Sequence, residues 1–448
     1  MAYQLIRGDA RRIPLPDGSV HCCVTSPPYW SLRNYGVSGQ LGLERDPEEY
    51  VAAMVRAFRE VRRVLRDDGT LWLNLGDSYA SGGGTGKQSL DKLGERLGTG
   101  GGKKHSSREC GRALTPDGLK PKQLIGIPWR VALALQADGW YLRSDVIWAK
   151  PNPMPESVED RPTKSHEYLF MMTRRERYFY DAEAVRETAL NTGGNGRWGP
   201  RGDARRDAGG RRDLPTEPMG DCTSRNLRSV WTIATHAYPG AHFATFPPAL
   251  VRPCIRAGTS QRGVCPACGA PWERVIESSG SPDGGFVRKP GTDLNGAHRT
   301  RPKANSQQMR AWKEAHPDRH LGWRPSCDCY GVVPLPAYPR PDDDDNDPDP
   351  AEVARIAEIR RRLLESYRPL PTIPPVVFDP FVGSGTTLEV AGSLGRRSIG
   401  LDLSGDYLKL ARRRLDRPHA RPVRPVRKES HPLFDHLEGG NPDGNERA

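Results

Sequence analysis

Ser26-Pro27-Pro28-Tyr29 ends a short apolar run, Val20 to Val24, that only His21 interrupts. Proline lacks the N–H that a sheet ladder needs, so the strand predicted by that run must stop here. It stops on a rigid turn that carries a hydroxyl, fixed carbonyls and the flat rings of Tyr29 and Trp30. Such a turn can hold a planar base bearing an amino group. The lone pair of an exocyclic amino nitrogen is conjugated with its ring, which makes it a poor nucleophile. Two acceptors on its N–H groups can draw the nitrogen toward a tetrahedral form, with the lone pair aimed at an alkyl donor. Ser26 Oγ and the Pro27 carbonyl are the candidate acceptors, held still by Pro27 and Pro28. Tyr29 is the ring that would stack on the base.

A second segment lies far downstream: Phe378-Asp379-Pro380-Phe381-Val382-Gly383-Ser384-Gly385-Thr386-Thr387. Strand, Gly-rich turn, helix, strand and then Asp402 is the layout of a nucleotide-type site in a doubly wound sheet. Small residues in the Gly383-Ser384-Gly385 turn let backbone N–H groups and a ligand approach closely. Asp402 can accept two hydrogen bonds from ribose hydroxyls. The turn lacks the Gly-Lys-Ser/Thr of a phosphate loop and the third glycine of dinucleotide sites.

Cys265-Pro266-Ala267-Cys268-Gly269 and Cys327-Asp328-Cys329 form two close cysteine pairs, 58 residues apart. Four thiolates in two such pairs suit a tetrahedral structural zinc ion; four free thiols or a redox pair is the alternative. Cys22 and Cys23 read as small core residues of a strand. Pro253-Cys254 is a pair that cytosine-C5 chemistry could use. It falls inside a predicted helix and reads as core packing.

The elements that must position these groups follow from periodicity. Strands are predicted at Tyr3 to Arg7, His21 to Thr25, Thr70 to Leu75, Trp140 to Ala149, Tyr168 to Thr173, Trp231 to Thr235, Val376 to Asp379 and Ser398 to Leu403. Helices are predicted at Pro47 to Arg66, Pro128 to Ala137, Phe246 to Cys254, Ala351 to Tyr367, Thr386 to Leu394 and Asp406 to Leu415. Asp46 before Pro47 is a good helix start, and Asp67-Asp68-Gly69 a turn. No internal repeat is visible.

The chain has 448 residues, 36% of them hydrophobic, with 48 Gly and 42 Pro, so much of it should be loop or insertion around one folded core. Its formal net charge of +12 favours a polyanionic partner. No stretch approaches the roughly 20 apolar residues of a membrane span, and the start does not resemble a signal peptide. Nine cysteines in so long a chain are too few for a disulfide scaffold. A reducing cytoplasm is the expected location.

Asp-Pro-Phe-x-Gly-Ser-Gly-Thr-Thr resembles the S-adenosylmethionine motif of DNA amino-methyltransferases, and Pro27-Pro28-Tyr29 resembles their catalytic motif. The catalytic motif comes first, which is the permuted (β-class) order of that cytosine-N4 and adenine-N6 family. Glutamine methyltransferases of release factors carry theirs in the opposite order. The resemblance covers most of 1–260 and 375–416. It implies an α/β fold, a circularly permuted Rossmann-like S-adenosylmethionine-dependent methyltransferase sheet, with a zinc-ribbon-like insertion. It also implies that Asp379, Phe381, Gly383, Ser384, Gly385 and Thr386 line the cofactor, and that Asp9, after Gly8, touches its adenine amino group. Asp9 as a plain turn cap is the alternative. His242, Phe243 and Phe246-Pro247 resemble the segment that closes over the cofactor.

Ser at position 26 matches the cytosine-N4 branch, with adenine-N6 methylation the nearest alternative. A non-catalytic zinc-containing DNA-binding protein that retains the fold is the alternative from another class. The base would have to leave the duplex to reach the pocket. Double-stranded DNA and a cognate restriction endonuclease are the implied partners, in a bacterial or phage-infected cell.

On this reading 1–185 is the catalytic half, with a mobile basic loop at 81–120 that is either a solvated linker or orders on phosphates. Target recognition falls to 186–235, rich in Arg, and cofactor closure to 236–261. The zinc-binding insertion with its four cysteines is 262–335; its basic residues, Arg288 to Lys313, bracket DNA or simply coat a structural module. An acidic linker and helix fill 336–370, the cofactor half 371–416, and a disordered tail 417–448.

Overall fold

A computed structural model describes residues 2–80, 119–189, 223–236, 246–277, 319–339 and 349–416. Its elements in chain order are β1 (Tyr3–Arg7), β2 (Val20–Thr25), α1 (Pro47–Val64), β3 (Leu65–Leu75), α2 (Ile127–Ala137), β4 (Tyr141–Ala149) and β5 (His166–Thr173). After a short 3-10 turn come β6 (Glu187–Ala189), β7 (Thr223–Arg225), β8 (Val230–Thr232), α3 (Pro248–Gly258), β9 (Trp272–Glu277) and β10 (Arg319–Pro325). The chain closes with α4 (Pro350–Tyr367), β11 (Val376–Asp379), α5 (Thr386–Ser393), β12 (Arg397–Asp402) and α6 (Gly405–Leu415).

Eight strands form one sheet in the order β1-β12-β11-β2-β3-β5-β4-β8. The first five run parallel, and β5 is antiparallel to both neighbours. From β11 the chain steps outward through α5 to β12; from β2 it steps the other way through α1 to β3. The boundary between β2 and β11 is therefore the point where the winding reverses, and the crevice of such a sheet lies beyond the strand ends at that point.

The two middle strands are apolar on both faces, as buried parallel strands must be. Cys23 and Phe378 pack with Tyr50, Met54, Phe58 and Val61 of α1 and Val131 of α2. Cys22 and Val377 pack on the opposite face with Val251, Cys254 and Ile255 of α3 and Val390 of α5. The start of α1 is as expected: Asp46 accepts from the Glu49 N–H at 2.8 Å and Pro47 follows it.

Asp67-Asp68-Gly69 is not the expected turn ahead of the strand. β3 runs on from Leu65, and the segment is a bulge: Val20 pairs with Leu65, but Cys22 already pairs with Thr70. An Arg66–Asp68 ion pair at 2.8 Å and the Phe179 N–H on the Asp68 carbonyl hold it in the ladder. A separate antiparallel pair, β9 and β10, packs Trp272 and Val275 against Leu364 and Tyr367 of α4. The helix after the acidic tract thus shares a core with the cysteine segment. Among the described residues no helix is long and apolar enough to cross a membrane.

Candidate active site and cysteine cluster

Both chemistry-bearing segments leave the sheet at the reversal point, side by side. Thr25, the last residue of β2, donates from Oγ1 to Asp379 Oδ1 at 2.6 Å, and the Phe381 N–H donates to the same oxygen at 3.0 Å. Thr387 Oγ1, at the start of α5, donates to the Val24 carbonyl at 3.1 Å. These bonds tie the strand that ends at Ser26 to the turn that carries the glycines. Asp379 is fully buried, and burial pushes its carboxyl up to about 6 against those hydrogen bonds.

The glycine turn is shaped by backbone. Gly383 and Gly385 have φ of 49° and 83°, a region that side-chain-bearing residues avoid. A Cβ on Gly385 would lie 3.2 Å from Ala411 Cβ, so α6 crowds that position as well. Asp402 Oδ2 accepts the Gly383 N–H at 3.0 Å, its Oδ1 accepts the Ser404 N–H at 2.8 Å, and burial raises its pKa. Ser384 and Thr386 turn their hydroxyls inward to buried Arg414, at 3.2 and 2.8 Å. They can offer a ligand backbone N–H groups rather than side chains. Phe381 is partly buried against the core.

The Gly8 N–H donates to the Asp402 carbonyl at 3.1 Å, which sets Gly8-Asp9 beside this turn. Asp9 is already engaged. Arg11 donates to it from its backbone N–H at 2.8 Å and from Nη2 at 2.6 Å, and that Arg11 pairing lowers its pKa.

Across the reversal point, Ser26 Oγ donates to Tyr29 Oη at 3.3 Å, and Tyr29 Oη donates to Glu167 Oε2 at 2.7 Å. Asn74 Nδ2, at the end of β3, donates to Glu167 Oε2 and to the Tyr168 carbonyl, both at 3.1 Å. Lys150 forms an ion pair with Glu167. Burial, with the Glu167 charge added, holds the Tyr29 phenol well above its ordinary pKa, so it stays neutral. Tyr50 donates to the Pro28 carbonyl at 2.9 Å. One edge of the Tyr29 ring lies so close to Gly76 that a Cβ there would sit 2.6 Å from Cε2. Asn74, Lys150 and Glu167 had no role in the sequence reading. The predicted strand began at Tyr168, one residue too late to include Glu167.

The four cysteine sulfurs of Cys265, Cys268, Cys327 and Cys329 lie within 4.8 Å of one another. The Gly269 N–H donates to the Cys265 carbonyl at 2.9 Å, closing the first pair into a tight knuckle. This knuckle sits at the opposite end of the sheet from Ser26. His21 reaches the Gly269 carbonyl through Nε2 at 3.0 Å and accepts the Val376 N–H on Nδ1 at 3.1 Å. Because Nδ1 must accept, Nε2 carries the proton. Burial lowers the His21 pKa to about 4, consistent with that neutral ring. Arg66 donates to the Cys268 carbonyl at 2.7 Å.

Cys254 is buried in α3, donates to the Leu250 carbonyl at 3.2 Å, and is pushed well above the ordinary thiol range by burial. It is a core residue, as expected. Phe246 and Pro247 lead into α3. His242, Phe243, the basic loop from 81 to 118, most of the 186–235 region, Arg288 to Lys313 and the tail from 417 lie outside the described residues.

The family model described as DNA methylase matches residues 20–265 and 360–413, which include the Ser26 turn, Glu167, the glycine turn and Asp402 but not Gly8-Asp9, Cys268 or the second cysteine pair. The Type II methyltransferase M.Cfr9I of Citrobacter freundii is 50% identical over 258 residues, 57% of this chain and 72% of its own length. The Type II methyltransferase M.SmaI of Serratia marcescens is 46% identical over 267 residues, 58% of this chain and 76% of its own. Among solved structures, the PvuII DNA methyltransferase (cytosine-N4-specific) is similar over 94% of this chain and 88% of its own, at TM-score 0.46 and 13% identity.

Proposed function

This chain belongs to the DNA methylase family of N6 and N4 methyltransferases, and from that premise we propose that it methylates the exocyclic N4 of a cytosine flipped out of double-stranded DNA, using S-adenosylmethionine. The observation that carries the proposal is the junction at the sheet reversal. Thr25 to Asp379 at 2.6 Å and Thr387 to Val24 at 3.1 Å tie the strand that ends at Ser26 to the glycine turn, which supports a shared site at the point where such a sheet has its crevice.

The cofactor would supply an activated methyl group on a sulfonium. Asp379, Phe381 and the backbone of Gly383, Ser384, Gly385 and Thr386 would bind it, with Asp402 on its ribose and Asp9 near its adenine. A buried carboxyl, Asp379, and a half-buried one, Asp402, at this turn suit a cationic ligand, since a nearby positive charge favours their ionised forms. Ser26 Oγ and the Pro27 carbonyl would accept the two amino N–H bonds, which frees the nitrogen lone pair for in-line attack. Tyr29 would present its ring to the base, held by Gly76 on one edge and by Glu167 at its hydroxyl. Ser rather than a carboxylate at position 26 favours cytosine.

The cysteine cluster would hold one zinc ion in a structural role. A Zn–S bond of about 2.3 Å sets tetrahedral sulfurs roughly 3.8 Å apart, and sulfurs within 4.8 Å need little movement to reach that. A restriction endonuclease of the same specificity is the proposed partner, as the Type II names of the relatives suggest.

The test is to incubate the protein with mixed-sequence DNA and methyl-labelled S-adenosylmethionine, then digest to nucleosides. Label on N4-methyldeoxycytidine is expected. Label on deoxyadenosine would overturn the base assignment. An unlabelled digest from protein that also fails to bind the cofactor would leave a non-catalytic DNA-binding protein.

A further inference from the structure

A serine hydroxyl beside an amino nitrogen can act in two opposed ways. It can accept an N–H, which helps the nitrogen attack, or donate to the nitrogen lone pair, which blocks it. Ser26 is useful only if its own proton is held elsewhere. The structure gives that proton a place on Tyr29 Oη at 3.3 Å. Tyr29 can receive it without competition only if its own proton points away. Glu167 Oε2 at 2.7 Å takes that proton, and an ionised carboxylate can only accept. Asn74 Oδ1 at 3.2 Å is a further acceptor on the same side.

The carboxylate is in turn fixed. Lys150 pairs with one oxygen and Asn74 Nδ2 with the other, and Lys150 also lies 4.4 Å from the Trp148 ring centroid. The Lys150 and Glu167 side chains are only 18% and 16% exposed. A largely buried ion pair gives little or no net stability over an apolar pair of the same size, which points to a role other than holding the fold.

We propose that Glu167, fixed by Lys150, is a positioning residue for methyl transfer: it sets the direction of the Ser26–Tyr29 hydroxyl chain so that the Ser26 lone pairs face the target amino group. This rests on the methyl-transfer reading above. Glu167 touches neither substrate nor cofactor and acts through Tyr29.

The experiment compares Glu167→Gln, Tyr29→Phe and the combined variant in single-turnover methyl transfer, on DNA that the wild-type protein labels. Cofactor affinity is measured by calorimetric titration and the KM for DNA in steady state. Glu167→Gln should lower the methyl-transfer rate by about tenfold or more, in the range of a misdirected catalytic hydrogen bond, with cofactor Kd and DNA KM changed less than about threefold. The combined variant should be no slower than the slower single variant, because both break one chain. Unchanged turnover in Glu167→Gln, or losses that multiply in the combined variant, would overturn the proposal. Should Glu167→Gln fail to fold because Lys150 is orphaned, the apolar pair Lys150→Met with Glu167→Leu takes its place. That pair should melt near wild type yet transfer methyl groups slowly; full activity in it would equally overturn the proposal. A wild-type protein that labels no DNA would instead sink the methyl-transfer reading itself.

Discussion

Replacing Asp379 with Asn tests the electrostatics of the junction. The carboxyl is fully buried, and burial, reinforced by the nearby Asp402 charge, raises its pKa to about 6 despite hydrogen bonds from Thr25 and the Phe381 N–H. A carboxyl whose folded pKa lies above its unfolded value binds its proton more tightly in the fold. Its contribution is fully present below the ordinary 3.8 and is lost as the pH rises through about 6. At about 1.4 kcal/mol per pH unit, the ionised group costs the apo fold roughly 3 kcal/mol at neutral pH. Asn keeps the oxygen that Thr25 and Phe381 address but carries no charge. Any orphaned amide N–H in the variant adds an offset that does not depend on pH. Urea unfolding of both proteins without cofactor, from about pH 4 to about pH 8, separates the two effects. The stability of the variant relative to wild type should rise by roughly 2 to 3 kcal/mol across that range. A difference that stays flat with pH, or that moves the other way, would refute the reasoning.

Gly76→Ala should push the Tyr29 ring off its place, since the new Cβ would stand 2.6 Å from Cε2. Methyl transfer should fall by about tenfold or more while cofactor affinity measured by titration is unchanged. Ser26→Ala should lower single-turnover methyl transfer by about a hundredfold with cofactor binding intact; an unchanged rate would remove Ser26 from the mechanism. Purified wild-type protein should carry one zinc ion per chain by elemental analysis, and Cys268→Ser should lose it and melt at a lower temperature.

Much of the site could be read from the chain because its signals are local. Two prolines after an apolar run end β2 at Thr25, and three small residues before Thr386 make the turn into α5. The knuckle at Cys265 is equally local. What escaped is what depends on distant partners. Glu167, Lys150 and Asn74 are single polar residues at strand ends, and nothing in their neighbours says that they converge on Tyr29. Ser384 and Thr386 looked like ligand groups because they sit in the glycine turn. Arg414, 28 and 30 residues away, takes their hydroxyls instead. β9 and β10 went unassigned because they are mostly half-exposed and bury little beyond Trp272 and Val275. The bulge at Asp67 to Gly69 looked like a turn because its acidic-glycine composition is a turn composition; ion pairing with Arg66 and the ladder on either side keep it within β3.

Irradiating the protein with methyl-labelled S-adenosylmethionine and mapping the labelled peptides tests most directly whether the Ser26 turn and the glycine turn enclose one methyl donor. Label should appear in peptides from both the 20–30 and the 376–402 segments, and excess unlabelled cofactor should remove it from both. Label confined to one of the two, or carried by the cysteine segment, would contradict the account.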